Sequence, residues 1–463
     1  MKMDLSEIKN IYFVGAGGIG MAALERYFLA KGKNVAGYDR TSTPLTDELR
    51  AEGVDMTFDD SADSIPASFR DPAVTLVVYT PAVPADLPIL KYFRENGFEI
   101  MKRAAVLGLI TRNSRSLCFA GTHGKTTTSS MAAHILKCGT VGCNAFLGGE
   151  LINYGTNFLL SPSSDFSVIE ADEFDRSFHH LTPYVAVITA TDPDHLDIYG
   201  SEEAYLESFA HFTELIRPDG ALVIHEGLKL RPRTQEGVRV YTYSLDKGDF
   251  HASYIRREPG TITFDIVTPR GTIRNVNLGV PVEVNIENAV AAVAAVCLTN
   301  AWEPEQIREA INSYRGTKRR FETHLKENNG LGHVIIDDYA HHPEEIRKSI
   351  ESVKALYPGR KLTVAFQPHL YSRTRDFAPE FADALSAADS LILLDIYPAR
   401  ETPIEGVSSD IIFDNVKCSD KILISKEKLV ETLKNRNFDI LLTLGAGDIN
   451  TFIPAIIDSL ENN

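Results

Sequence analysis

The segment Gly121-Thr122-His123-Gly124-Lys125-Thr126-Thr127-Thr128 constrains this chain more than any other stretch of it. An apolar run, Leu117 to Ala120, leads into it, and a helical pattern follows it to about Lys137. Strand, glycine-bearing loop and helix start, in that order, converge unpaired backbone N–H groups and the positive end of a helix dipole on one point, which makes a phosphate cradle. In such a loop the lysine reaches the β- and γ-phosphates and the next hydroxyl ligates Mg2+, so Lys125 and Thr126 take those positions. Gly121, Thr122, His123, Gly124 and Thr127 complete the nucleotide contact. The usual spacing wants a further glycine where Phe119 stands, so the loop is a variant. A nucleoside triphosphate is the ligand to expect.

At 463 residues the chain exceeds what one hydrophobic core serves, and its length predicts about three domains. Its net charge of −16, from 63 acidic against 47 basic residues, argues against nucleic acid as a partner. The five cysteines, Cys118, Cys138, Cys143, Cys297 and Cys418, are scattered, odd in number and without C-x-x-C spacing, which fits a reducing compartment. The N-terminus carries Lys2, Asp4, Glu7 and Lys9 and then a short apolar run broken by glycines, neither a signal peptide nor a membrane span. A cytoplasmic protein with no membrane partner is expected.

Residues 11–14 read as a buried strand running into Gly15-Ala16-Gly17-Gly18-Ile19-Gly20, with a helical pattern behind it. Asp39 ends the next strand-like run, where a ribose hydroxyl partner would sit. Alone, this pattern would suggest a dinucleotide dehydrogenase, but a bare G-x-G-x-x-G is weak evidence for NAD. A further strand, 74–79, ends in Thr80-Pro81-Ala82-Val83, and a first boundary falls near residue 111. Beyond the phosphate loop, strands at 166–169, 185–188 and 221–224 lead into polar loops, which predicts α/β architecture with mainly parallel sheets and ligands beyond the strand C-termini. Residues 227–283 read as an antiparallel insertion without assigned chemistry. An Ala/Val-rich helix over 285–298 carries Asn285 and Asn288 on one face of its first turn, Asn285 being equally readable as an N-cap. After residue 316, strands at 334–336, 362–366, 390–394 and 440–444 form a third β/α unit, with a helix beginning at Pro343.

Phosphoryl transfer needs a hard divalent ion with oxygen ligands, and Glu170, ending a strand beside the loop, is the best placed carboxylate. Asp172, Glu173 and Asp175 compete for that place, and a merely solvated acidic turn is the bland alternative. His195, in Asp192-Pro193-Asp194-His195, is a second candidate ligand. In the third unit, Asp338 and His341 follow one strand and His369 and Arg373 the next; imidazoles and Arg forks there suit carboxylates and phosphates.

Taken in order, GAGGIGM, GTHGKTTT, EADEFDRSF, TDPDHLDIYG, NIEN, GTKRRFE, DDYAHHPEE, FQPHLYSRTRDF, DIYPARETPIEG and LTLGAGDI resemble the Mur ligases over nearly the whole chain. The resemblance implies a Rossmann-like UDP-sugar domain (1–111), a central P-loop ATPase domain (112–315) and a C-terminal Rossmann-like domain for the amino acid and ATP (316–463). It implies ATP and Mg2+ as cofactors. It also implies UDP-N-acetylmuramate and L-alanine as substrates, joined through an acyl phosphate in peptidoglycan biosynthesis. The first glycine loop then faces the UDP diphosphate rather than NAD, with Gly15, Gly17, Gly18, Ile19, Gly20, Asp39, Thr80 and Ala82 around the substrate. By the same resemblance Lys125, Glu170, His195, His369 and Arg373 carry the chemistry, and Thr126, Glu170 and His195 hold metal. Asn285, Asn288, Arg320 and Asp338 contact nucleotide, His123 looks toward the sugar, and His341 and Arg373 face the amino acid. Val284 stands where relatives often carry His, and Leu370 where some carry Arg. Residues 196–216 lack the lysine that sister ligases carbamylate, with Glu207 as a possible substitute. A sister enzyme that joins the same sugar to a whole murein tripeptide is the alternative. The oligomeric state is not implied.

Overall fold

The computed structural model describes residues 7–461 except Pro81, Ala82, Ala85, Pro162, Asp194, His195, Ala301, 326–331, Arg400 and Asn437. Two expected site residues, Ala82 and His195, therefore lie outside the described residues. Two compact units divide the chain. The first comprises Met1–Ser253, Asp265–Arg274 and Glu287–Ile311, the second Tyr254–Phe264, Asn275–Ile286 and Asn312–Asn463.

The first unit opens with five strands in the order Asp55–Thr57, Asn34–Tyr38, Asn10–Val14, Thr75–Tyr79, Glu99–Lys102. All pairs are parallel. The winding reverses between Asn10–Val14 and Thr75–Tyr79, so the glycine loop after the former and Thr80 after the latter flank the crevice where such sheets take ligands.

A ten-stranded sheet follows: Thr156–Leu159, Asn144–Leu151, Phe166–Glu170, Arg115–Ala120, Val185–Ile188, Ala221–His225, Arg239–Ser244, Phe250–Glu258, Thr261–Thr268, Gly271–Asn277. The strand feeding the phosphate loop lies between two parallel neighbours, with Phe119 opposite Glu170 and Ala120 opposite Ile188. Val185 to Ile188 and Leu117 to Ala120 are all fully buried, as expected of strands covered on both faces. The expectation of a wholly antiparallel insertion needs correction. Arg239–Ser244 extends the main sheet in parallel to Ala221–His225, because the connection before it is long enough to cross over.

The glycine-loop helix, Ile19–Ala30, is seated on this second sheet through aromatic edges: Tyr27 lies 5.4 Å from Phe146 and 6.5 Å from Phe158. The Asn157 amide donates both to Ile19 O (3.0 Å) and to Leu147 O (3.2 Å). On the helix Arg103–Arg112, a Cβ at Gly108 would stand 2.3 Å from the His180 carbonyl oxygen, so only glycine permits this approach.

The second unit holds a sheet ordered Glu322–Leu325, Val334–Asp338, Ile440–Leu444, Leu362–Phe366, Ser390–Leu394, Lys421–Ile424. Its pairs are parallel apart from the first. The expected helix forms over Pro343–Leu356, buries Ile346, Ile350, Val353 and Leu356, and starts with a capping box between His342 and Glu345. Among the described residues, no helix is long and apolar enough to cross a membrane.

Candidate functional site

The phosphate loop is built as its sequence demands. Gly121 (φ +139°) and Gly124 (φ +82°) adopt backbone that side chains resist, and a Cβ on Gly121 would strike the Thr189 hydroxyl. Thr189 pins the loop from the neighbouring strand by donating to His123 O and, at 3.2 Å, to Ala120 O. Thr122 is held from outside by its hydroxyl on Asp192 O (2.7 Å) and by Tyr205 (3.0 Å). The helix Lys125–Cys138, with Thr127 in its first turn, then begins with no side-chain cap and no acid in that turn, leaving its first N–H groups without an intrahelical partner.

Three pairs of polar side chains meet there: Thr126 with Glu170, Thr128 with Asn288, and Lys125 with Glu173. The Thr126 hydroxyl donates to Glu170 Oε1 at 2.9 Å, while Gly148 N–H fixes Glu170 Oε2 at the same distance. Asn288 Oδ1 accepts from Thr128 at 3.2 Å and lies where a Cβ of Gly124 would touch it. Asn285 is buried one turn earlier, and its amide is engaged with Val280 O at 3.2 Å. It lies inside the first turn of Val284–Cys297, so the N-cap alternative fails. Lys125 Nζ donates to Gly121 O (2.7 Å) and to Glu173 (2.8 Å). Glu173 is thus the lysine's partner, not the metal candidate that its place in an acidic turn suggested. His123 is exposed, 3.9 Å from Asp192. Glu207, the suggested substitute for a carbamylated lysine, is a correction: it is exposed and paired with Arg233 at 2.7 Å, because its helix turns it to solvent.

At the first glycine loop, Gly15 has φ +84° and packs against Thr80, where a Cβ would meet the threonine methyl at 2.5 Å. The Asp39 carboxylate accepts Gly17 N–H at 2.7 Å, so it shapes the loop as well as facing the crevice. Gly18 precedes the helix without a side-chain cap, Ile19 is 49% exposed, and Gly20 lies under the Arg103 guanidinium. Arg103 has no hydrogen-bond or ion-pair partner among the described residues, although it adds positive charge beside a positive helix end. Sequence reasoning missed it because 83 positions separate it from Gly20 and no motif links them.

In the second unit, Arg320, Asp338, His341, His369 and Arg373 gather at the C-terminal ends of Val334–Asp338 and Leu362–Phe366. Arg320 lies over the Tyr339 ring at 5.4 Å. Burial raises the Asp338 carboxyl to about 6, although Ser349 and Arg320 favour its charge. His341 Nδ1 donates to Tyr339 O (3.0 Å) and lies 3.5 Å from Glu345; burial and then the Arg373 charge outweigh Glu345 and hold it below the usual histidine range. His369 stacks on Tyr397 at 5.8 Å, and burial, Arg373 and His341 lower it likewise. Its Nδ1 is buried without a partner, and the partly buried Arg373 lies close enough for its charge to act on both imidazoles. Imidazoles and a guanidinium fork are the donor types that suit a carboxylate. Leu370, where some relatives carry Arg, has φ +73° and donates its N–H to Tyr397 O. Arg319, also unremarked in the sequence, is structural: it grips Asp337 at 3.1 Å and the Gly445 and Gly447 carbonyls.

Family models cover the chain in succession: the Mur ligase family catalytic domain over residues 10–115, the Mur ligase middle domain over 119–296, and the Mur ligase glutamate ligase domain over 319–447. The chain is a Mur ligase. This Mur ligase is 56% identical over 460 residues to the UDP-N-acetylmuramate--L-alanine ligase of Phocaeicola vulgatus, covering 99% of this chain and all of that one. It is 58% identical to the protein of the same name from Parabacteroides distasonis, over 99% of this chain and 98% of that one. The crystal structure of the UDP-N-acetylmuramate-alanine ligase of Thermotoga maritima superposes with a TM-score of 0.79 at 26% identity, over 98% and 99% of the two chains. A murein peptide ligase from Psychrobacter arcticus shares the Mur ligase fold, with a TM-score of 0.64 at 20% identity.

Proposed function

We propose that this Mur ligase joins L-alanine to the lactyl carboxylate of UDP-N-acetylmuramate, converting ATP to ADP and phosphate, as a step in peptidoglycan assembly. One observation carries the reading: end-to-end identity above one half to ligases named for that reaction; the glycine-bearing loop before Lys125 and the Thr126–Glu170 contact support it.

A carboxylate does not react with an amine at neutral pH until one of its oxygens becomes a leaving group. Transfer of the ATP γ-phosphoryl to the lactyl oxygen supplies that group as an acyl phosphate; the amine attacks the carbonyl, and phosphate departs with the bonding pair. The Gly15 to Gly20 loop, with Asp39, Thr80 and Arg103, is suited to the UDP moiety by the uncapped helix start at Gly18 to Gly20 and the unpaired guanidinium, the N–H groups of Gly15 to Gly17 being used to shape the loop. Lys125 neutralises charge on the transferring phosphoryl. The hydroxyl of Thr126 and the Glu170 carboxylate are hard oxygens 2.9 Å apart, a donor set that fits Mg2+. Mg2+ bound there would offset phosphate charge. Arg373 grips the alanine carboxylate in two places and so fixes where the amine points, with His369 and His341 beside it.

The test is ADP release by the purified chain. It should require both UDP-N-acetylmuramate and L-alanine, and release with the murein tripeptide but not with L-alanine would overturn the reading.

A further inference from the structure

Nothing in the run Glu170-Ala171-Asp172-Glu173 distinguishes its last acid, but the fold does. Glu173 is 1% exposed, and a carboxylate stripped of water needs a charged partner already in place. Lys125 is that partner at 2.8 Å, and the same ammonium donates to Gly121 O at 2.7 Å. Two of its three protons are therefore turned back into the protein. The other carboxylate oxygen, Glu173 Oε2, is buried and meets no donor. The turn that presents it cannot follow the lysine outward, because the Glu173 carbonyl is held by the Tyr199 hydroxyl at 2.5 Å and by Arg176 N–H at 3.0 Å.

We infer that Glu173 is a resting counter-ion: it latches Lys125 against the protein while the phosphate loop is empty and releases it when the phosphates of ATP enter. This inference rests on Lys125 being a phosphate contact. The ammonium cannot serve the latch and the γ-phosphate with the same protons, so each closed latch subtracts from the population able to bind. The apparent dissociation constant rises by the reciprocal of the open fraction. In return, the lysine starts every cycle from one defined place. Glu173 is in this sense a positioning residue, acting on phosphate only through Lys125.

The experiment is calorimetric titration of the full chain with ATP in EDTA, which removes any metal contribution. Glu173→Gln keeps the shape and loses the charge. If the latch is closed about nine times in ten, that variant binds ATP about tenfold more tightly than wild type. Glu173→Asp, one methylene shorter, gives a smaller shift of the same sign. The Glu173→Gln effect disappears in a Lys125→Ala background. In turnover with Mg2+, KM for ATP falls in Glu173→Gln far more than kcat changes, a split that a merely structural carboxylate would not produce. Unchanged or weaker ATP binding by the folded Gln and Asp variants overturns the inference. Equal tightening in the Lys125→Ala background also overturns it, since the acid would then merely repel phosphate. Absence of ATP binding by wild type overturns the phosphate-contact reading, and the latch with it.

Discussion

Lys125, Thr126 and Arg373 each make a prediction that depends on one side chain. Lys125→Ala removes the charge facing the transferring phosphoryl and should lower kcat by about 10²- to 10³-fold; because it also leaves the buried Glu173 carboxylate without its partner, the melting temperature should fall, and steady-state ADP release and a thermal melt check both. Thr126→Ala removes one oxygen from the pair with Glu170, so the Mg2+ concentration giving half-maximal rate should rise; a metal titration of turnover reads it directly. Arg373→Lys keeps the charge and loses the fork, so KM for L-alanine should rise far more than KM for ATP. If KM for ATP rises instead, Arg373 touches phosphate. These residues were legible in the sequence because each sits at a fixed offset within a strand-to-helix turn, where local spacing dictates position. Glu173 and Arg103 were not. Their partners, Lys125 and Gly20, come from distant segments, and only the packing of helices on sheets brings them together.

The helix Lys125–Cys138 shows what its own composition does to stability. Its far face buries His134, whose Nδ1 meets the Tyr154 hydroxyl at 2.8 Å, and burial lowers the imidazole from 6.5 to about 4. The unfolded chain takes up this proton near pH 6.5 and the folded one only near 4. Between those values the unfolded state binds more protons, so stability falls as pH falls, by at most about 3 kcal/mol from this group. Urea midpoints measured from pH 7 to pH 4.5 should decline, and His134→Gln should flatten the decline. Interior strands were legible at this scale because runs such as Val185–Ile188 are apolar throughout. Edge strands were not: Glu99–Lys102 is two apolar residues between two charges, without alternation and too short to show a period. The direction of Arg239–Ser244 was equally hidden, since strand polarity depends on the length of the connection rather than on the strand's residues.

At the scale of the molecule, the first glycine loop does not belong to a free-standing module. Tyr27, Phe146 and Phe158 share one core, and Asn157 closes it. A piece ending at residue 111 would expose Tyr27 to water and lose the Asn157 bond to Ile19. It should therefore melt at a lower temperature than the full chain and bind UDP-N-acetylmuramate more weakly; circular dichroism and calorimetry on the two proteins compare them. The boundary near residue 111 follows a change in composition, which registers where a linker is polar but not how much surface its neighbours share.

The helix Arg103–Arg112 joins these scales. Its first residue leans over Gly20, and its middle, at Gly108, abuts the carbonyl of His180, in the turn that begins just after Glu173. A ten-residue helix is a stiff rod about 15 Å long, and here it ties the Gly20 loop to the turn after Glu173. One added methyl at Gly108 would meet the His180 carbonyl and force the rod off its seat, so a substitution outside both glycine loops should be felt at its Arg103 end.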